Sequence, residues 1–299
     1  MELMIALVIG LMIIGAFLSA LRQSLSLFAT NESAAWLQDA SRHAMSVLVP
    51  DIEHAGFLGF KGSGMRVVSL PAGIDDCGTG FALALERPVE ASNDAWPDVG
   101  TRCAPTSAAG GARAGTDTLT LRHASLAVSA PRAGRLQIYS RRLESQSPID
   151  LFADGRAPGG TGENHEVRDV EVRTYYVAND SVGRPGWPAL RVKALTESGG
   201  SAQFRDEEVM PGVEDLQVEL GVAGHGAHVQ YLAPDAEAGR SGSIVAVRLW
   251  LRIRAGSTEG GFQDARPLAY AGRVFEPTPS EARQRRVLIE RTVALRNAP

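Results

Sequence analysis

Cysteine is scarce in this sequence, and charge is missing from one long stretch of it. There are only two cysteines, Cys77 and Cys103, in 299 residues. No CxxC pair and no neighbouring histidine completes a zinc set. They lie in a segment rich in Gly, Pro, Asp and Ser, which suits a disulfide in an oxidising compartment, with free thiols as the alternative reading. Other absences narrow the chemistry. Gly110-Gly111 and Gly159-Gly160 lack the lysine and spacing of a P-loop. No G-x-S-x-G elbow positions a serine. Asp75-Asp76 and Asn93-Asp94 with Asp98 do not have the spacing of a calcium loop. Nothing pairs an acid with a base or activates a nucleophile, so no enzyme class, cofactor or metal is proposed by the residues.

Composition is otherwise that of a globular protein. Apolar residues make up 44% and charged residues 21%, the formal net charge is -4, and the pI near 5.9 gives no global case for nucleic-acid binding. A local basic strip, Arg248, Arg252 and Arg254, and a histidine pair, His225 and His228, in a Gly-Ala loop read as solvated surface before they read as sites.

The uncharged stretch is Leu3–Leu21, 19 residues of mainly Leu, Ile, Val, Met and Ala. That approaches the roughly 20 residues needed to cross about 30 Å of hydrocarbon. It has no basic start and is longer than a signal-peptide core, so it reads as a spanning helix. The first basic residue, Arg22, follows the span and by itself would weakly place the rest of the chain in the cytoplasm. The cysteine pair argues for the opposite side. From Asn31 onward Leu37, Ala40, Ala44, Leu48, Ile52 and Ala55 step by three or four, the stripe of an amphipathic helix. Pro50 is expected to kink or break it, and Gly56 and Gly59 to mark its end. The organisation expected is 1–22 as an apolar helix, 23–58 as its amphipathic continuation, and 59–299 as a β-rich head.

Residues 61–115 read as loops with a short strand or two. Strands are then expected at Asp117–Arg122, Arg135–Tyr139, Val167–Val177, Leu190–Leu195, Val213–Val222, Ile244–Arg254 and Val287–Leu295. Loops are expected at 155–163, 197–201 and 255–261. In Ile244–Arg254, Val245, Val247, Leu249, Leu251 and Ile253 should face a core, while Arg248, Trp250, Arg252 and Arg254 face water. The fold class expected is α+β, a long helix packed on a mostly antiparallel sheet.

Several segments resemble one family. Glu2-Leu3-Met4-Ile5-Ala6-Leu7-Val8-Ile9-Gly10 is similar to the start of type IV pilins and pseudopilins from their signature glutamate onward. Asp51-Ile52-Glu53-His54-Ala55-Gly56-Phe57, Gly115-Thr116-Asp117-Thr118-Leu119-Thr120-Leu121-Arg122, Gly212-Val213-Glu214-Asp215-Leu216-Gln217-Val218, Ile244 through Leu251 and Arg286 through Asn297 resemble, in order, PilW-type minor pilins. The family's leader, cleavage glycine and first mature residues are not in the chain as written, which implies a start upstream of Met1.

The resemblance implies a pilin-like fold and a structural role in type IV pilus assembly, in a priming or tip complex supporting adhesion and twitching motility. A type II secretion pseudopilin is the rival, with a surface- or DNA-binding tip module and an anchored periplasmic enzyme behind it. The implied partners are other minor pilins, the major pilin and the pilus assembly machinery; nucleic acid is not an expected partner. The implied location is the inner membrane, with the head periplasmic, and then the pilus. Glu2 would pair with a neighbouring subunit's N-terminal amine and set axial register, or would merely sit at the membrane edge. Gly10 and Gly15 would let helices approach closely or unwind, or reflect ordinary glycine use in membrane helices.

Overall fold

The computed structural model of the chain describes residues 2–60, 62, 64–70, 77, 79–96, 103–142, 147–160, 162–224, 228–236, 242–258 and 261–298. Residues Glu2–His54 form one helix, α1. Its sequence is dominated by good helix formers, with no proline before Pro50. Pro50 does not end the helix: only its last turn follows, so one forfeited backbone bond is tolerated, and His54 Nδ1 lies 2.6 Å from the Pro50 carbonyl oxygen. Gly56, at φ 81°, then turns the chain out of the helix, a left-handed conformation that a side chain would strain.

The rest is mainly β-structure. The strands are β1 Met65–Val67, β2 Val89–Ser92, β3 Thr118–Val128, β4 Ala133–Arg141, β5 Ile149–Asp154, β6 His165–Ala178, β7 Ala189–Ser198, β8 Ser201–Pro211, β9 Val213–Ala223, β10 Val229–Leu232, β11 Ile244–Thr258, β12 Leu268–Tyr270, β13 Arg273–Phe275 and β14 Gln284–Ala294. A short helix, α2, spans Thr79–Leu83. All seven expected strands are present. The loop expected at 197–201 is instead a tight β7–β8 hairpin in which Gly199 and Gly200, at φ 61° and 79°, supply the two positive angles that a primed turn requires. The strand at Ile244 runs on through 255–258, also expected as loop.

The larger sheet has eight strands in the order β1-β5-β4-β6-β3-β2, with β7 joined to β6 and β8 to β7. One edge of the long β6 is shared: its first residues pair with β4 and its last with β7, while β3 lies along the other edge. Every pairing recorded in this sheet is antiparallel except β1 with β5. A second sheet has the order β10-β9-β11-β14, and β12 and β13 make a small hairpin.

The chain forms two compact units, one of Met1–Arg42 with Ile253–Leu288 and one of His43–Arg252 with Ile289–Pro299. In the first, Ser33, Leu37 and Ala40 of α1 are buried, as are Ile253, Ala255, Tyr270 and Ala282. In the second, Ala44, Leu48 and Ile52 of α1, and Ala55 just after its end, are fully buried. All six positions of the expected stripe are therefore covered.

Alternation sorts β3 and β6 into two faces. Leu119, Leu121 and His123 share one face with Glu171, Arg173 and Tyr175, and this face meets the end of α1. Ala124, Val170 and Val172 point the other way, into a cluster with Cys77, Ala82, Leu85 and Cys103. Truncating Leu48 to alanine would remove a fully buried side chain from the helix–sheet contact. It should lower stability by roughly 2–5 kcal/mol in urea unfolding of the detergent-solubilised chain.

Candidate functional site

The first half of α1 carries most of the exposed large apolar side chains among the described residues. Large side chains from Leu3 (79% exposed) to Phe28 (69% exposed) stand open, and the segment is long and apolar enough to cross a membrane. Glu2 is exposed in its first turn. A Cβ added at Gly10 or Gly15 would meet nothing within 4 Å, so neither glycine is needed for packing within the chain.

At the other end of α1 sits a buried polar cluster. Asp51, one helical position from the apolar stripe, is almost wholly buried. Its Oδ1 accepts from Arg173 Nη1 and from His123 Nε2 at 3.2 Å, and its Oδ2 accepts from the Tyr175 hydroxyl at 2.7 Å. Arg173 also pairs with Glu171, and His123 Nδ1 lies 3.0 Å from the Ala124 carbonyl oxygen.

The register explains how β6 supplies three of these groups. Glu171, Arg173 and Tyr175 alternate along one face and stand opposite His123, Leu121 and Leu119 of β3. Burial would raise the pKa of Asp51, but the His123 hydrogen bond, the Arg173 charge and the Tyr175 hydroxyl outweigh it and hold the carboxyl below its ordinary value. Burial likewise opposes charge on His123, yet the Asp51 and Ala124 oxygens and the charges of Asp51 and Glu171 hold its value above the ordinary one. Tyr175 is pushed far up, first by burial and then by Asp51, and stays a neutral donor. Asp51, His123 and Glu171 bring ligand atoms within 4.8 Å of one another, but Arg173 already supplies the cation that both carboxylates face.

The cysteines are joined, Cys77 to Cys103. The chain around them is pinned to the sheet from both sides. Arg122, fully buried on β3, donates through Nε to the Phe81 carbonyl and through Nη1 to that of Arg87, at 3.1 and 2.9 Å. Its Nη2 makes an ion-pair contact with Glu90 at 2.7 Å, and its guanidinium lies 4.7 Å from the Phe81 ring centre. Burial pulls the Arg122 value down, and Glu90 offsets part of that. On the Cys103 side, Asp206 accepts from the Thr106 backbone and the Tyr176 hydroxyl and pairs with Arg191, while Lys193 donates to the Ala104 carbonyl.

A third buried group joins the two sheets. Asp117 Oδ2 accepts from Val218 N–H and Asp117 N–H donates to the Leu216 carbonyl, at 2.8 and 2.9 Å. Asp117 Oδ1 also accepts from the Asp94 backbone. Arg252 is buried and pairs with Glu214 at 3.2 Å and Asp215 at 3.6 Å. This corrects the expectation of a wet basic strip. Trp250 and Arg252 are buried, Arg254 is half-buried, and Arg248 pairs with Glu219 and lies 3.8 Å from the Tyr231 ring centre.

His228 is exposed, whereas His225, Asp75, Asp76 and Asp98 lie outside the described residues. A cleft of about 290 Å³ beside β2 is lined by Pro88, Val89, Leu220, Pro234 and Ile244 together with Glu86 and Arg87. The perturbed groups Asp51, His123 and Tyr175 are not part of it, so it does not assemble an acid–base site.

Residues 174–297 match the family described as Type IV Pilus-assembly protein W. The match takes in the segments at Gly212, Ile244 and Arg286 that carried the resemblance, with the Arg252–Glu214 pair. Asp51, His123, Arg122 and the disulfide precede it. Among solved structures, a type IV-like pilin from Thermus thermophilus is similar at 14% identity and a TM-score of 0.37, covering 87% of this chain and 97% of that chain. No curated protein matches.

Two measurements check this account. Asp51→Ala would leave Arg173 and His123 facing no carboxylate from the helix and should lower stability by roughly 3–5 kcal/mol in urea. Reduction of the Cys77–Cys103 bond, whose partners are 26 residues apart, should lower it by about 3–4 kcal/mol in the chain-entropy description.

Proposed function

We propose that this chain is a minor pilin that joins other minor pilins in a priming or tip complex for type IV pilus assembly, and thereby supports adhesion and twitching motility. The observation that carries the reading is α1. One uninterrupted helix is apolar and unburied over its first half and buried against folded structure over its last turns, and the chain that follows matches a pilus-assembly family over residues 174–297.

Exposing such a surface to water costs on the order of 25 cal/mol per Å². The first half of α1 therefore belongs in lipid before assembly and among helices of its own kind afterwards. The disulfide is consistent with a head on the oxidising side of the membrane. The buried polar groups described above bond to one another rather than converge on a cleft, which favours a structural role over catalysis. In this reading Glu2 pairs with a neighbouring subunit's N-terminal amine, because a carboxylate drawn into a filament core is costly unless paired. Gly10 and Gly15, with open space around them, mark where another helix can come close.

Deletion of the gene in its host should abolish surface pili and twitching. The full-length chain should restore both, and a Glu2→Ala variant that accumulates in the membrane should not. Normal pili with blocked export of secreted proteins would move the chain to the secretion pseudopilins. Normal pili with normal export would overturn the structural reading altogether.

A further inference from the structure

The His123 ring lies between the last turns of α1 and the sheet, and both of its nitrogens face oxygen. Nδ1 is 3.0 Å from the Ala124 carbonyl oxygen and Nε2 is 3.2 Å from Asp51 Oδ1. Neither oxygen can donate: one is a backbone carbonyl, and the other belongs to a carboxylate already bonded to Arg173 and Tyr175. A neutral imidazole has one N–H, so one of its nitrogens would have to present a lone pair to an oxygen lone pair. Only the doubly protonated ring satisfies both contacts.

The surrounding charge gives the same answer independently. The groups that face the ring are Asp51 and His54 from α1, and Glu171, Arg173 and Tyr175 from β6. His54 has its ring centre 6.4 Å away and turns its own Nδ1 to the Pro50 carbonyl. The two carboxylates and one guanidinium leave one negative charge uncompensated beside a buried ring, and an imidazolium cancels it.

We propose that His123 is a proton-operated latch: while its ring carries both protons it ties Asp51, and with it the end of α1, to the sheet, and loss of one proton loosens that end. Release is partial, because Asp51 keeps Arg173 and Tyr175. The proposal does not depend on the pilus reading, since it concerns only how this helix end is held.

The sign follows from the directions already given. A histidine held above its ordinary value stabilises the folded chain fully below about pH 6.5, and that contribution is lost as pH rises through the folded value. Asp51, held below its ordinary value, contributes above about pH 4, and its share is lost as pH falls through its folded value. The latch is therefore closed in mildly acid medium and opens toward alkaline pH.

The test uses the full chain in detergent micelles. In the wild type, the His123 ring proton signal, assigned by through-bond correlation to the residue's own backbone resonances, should titrate with a midpoint above 6.5. In Glu171→Gln that midpoint should fall, because the uncompensated negative charge is gone. Amide hydrogen exchange over residues 48–57 should be slower in wild type than in His123→Gln at pH 6, on the order of tenfold, with the two converging by pH 9. Thermal midpoints should differ by roughly 2–4 °C at pH 6 and coincide at pH 9. A wild-type midpoint at or below 6.5, or an exchange difference that does not change with pH, would overturn the proposal. The ring titration needs no variant to be stable, so failure of His123→Gln to fold leaves the first measurement decisive.

Discussion

A carboxylate that has left water must find its hydrogen-bond donors inside the protein, and most of the architecture around Asp51 answers that demand. It lies next to a stripe of apolar residues, so the burial that seats Leu48 and Ile52 carries the charge in with it. The sheet meets it with three donors from two neighbouring strands, one of them a guanidinium. An apolar stripe alone could slide or rotate by a residue on a sheet with little penalty. A helix whose Asp51 must reach Arg173, His123 and Tyr175 together has one acceptable seating, since any other leaves several buried groups unbonded.

The same device recurs on a smaller scale. Arg122 leaves the opposite face of β3 and holds the stretch around α2 by its carbonyls, while Asp117 bridges to β9 through the backbone. Arg122 takes up backbone groups of a segment that has little regular structure of its own, and Asp117 takes up the Asp94 N–H as well as that of Val218. The disulfide closes the loop those contacts have already positioned. The irregular region thereby gains order without needing an apolar core of its own size.

How much of this could be read from the residues depends on where the apolar groups lie. The α1 stripe and seven strands announced themselves because their apolar positions repeat at 3.6 or 2. β8 did not, since Arg205, Asp206, Glu207 and Glu208 hide its alternation. Two of those acids are half-inward partners of Arg191 on β7 rather than loop residues. β5 is short and carries as its second residue Asp150, which is buried and paired with Arg66 and Arg141. The polar cluster was also missed, although a signal existed. Glu171, Arg173 and Tyr175 alternate along a strand otherwise rich in valine, and a polar face in the middle of a sheet calls for a polar partner. Arg122 gave no such hint, because the expected strand ended there, whereas β3 runs on to Val128, and an arginine at a strand end is ordinarily at the surface. The reading of Arg252 as wet failed for the same reason: its acidic partners sit on another strand, 37 and 38 residues earlier in the chain.

The exposed part of α1 has apolar side chains at consecutive positions, Leu3-Met4-Ile5, Leu7-Val8-Ile9 and Leu11 through Ile14, so every direction around its axis looks alike to a neighbour. Glu2, the one charge before Arg22, sits at one end and can register height along the axis, but not angle about it. Apart from the gaps at Gly10 and Gly15, such a helix has little azimuthal preference. Whatever arrangement it enters, the rotational setting of each copy, and the identity of the copy beside it, must be chosen by surfaces beyond the helix.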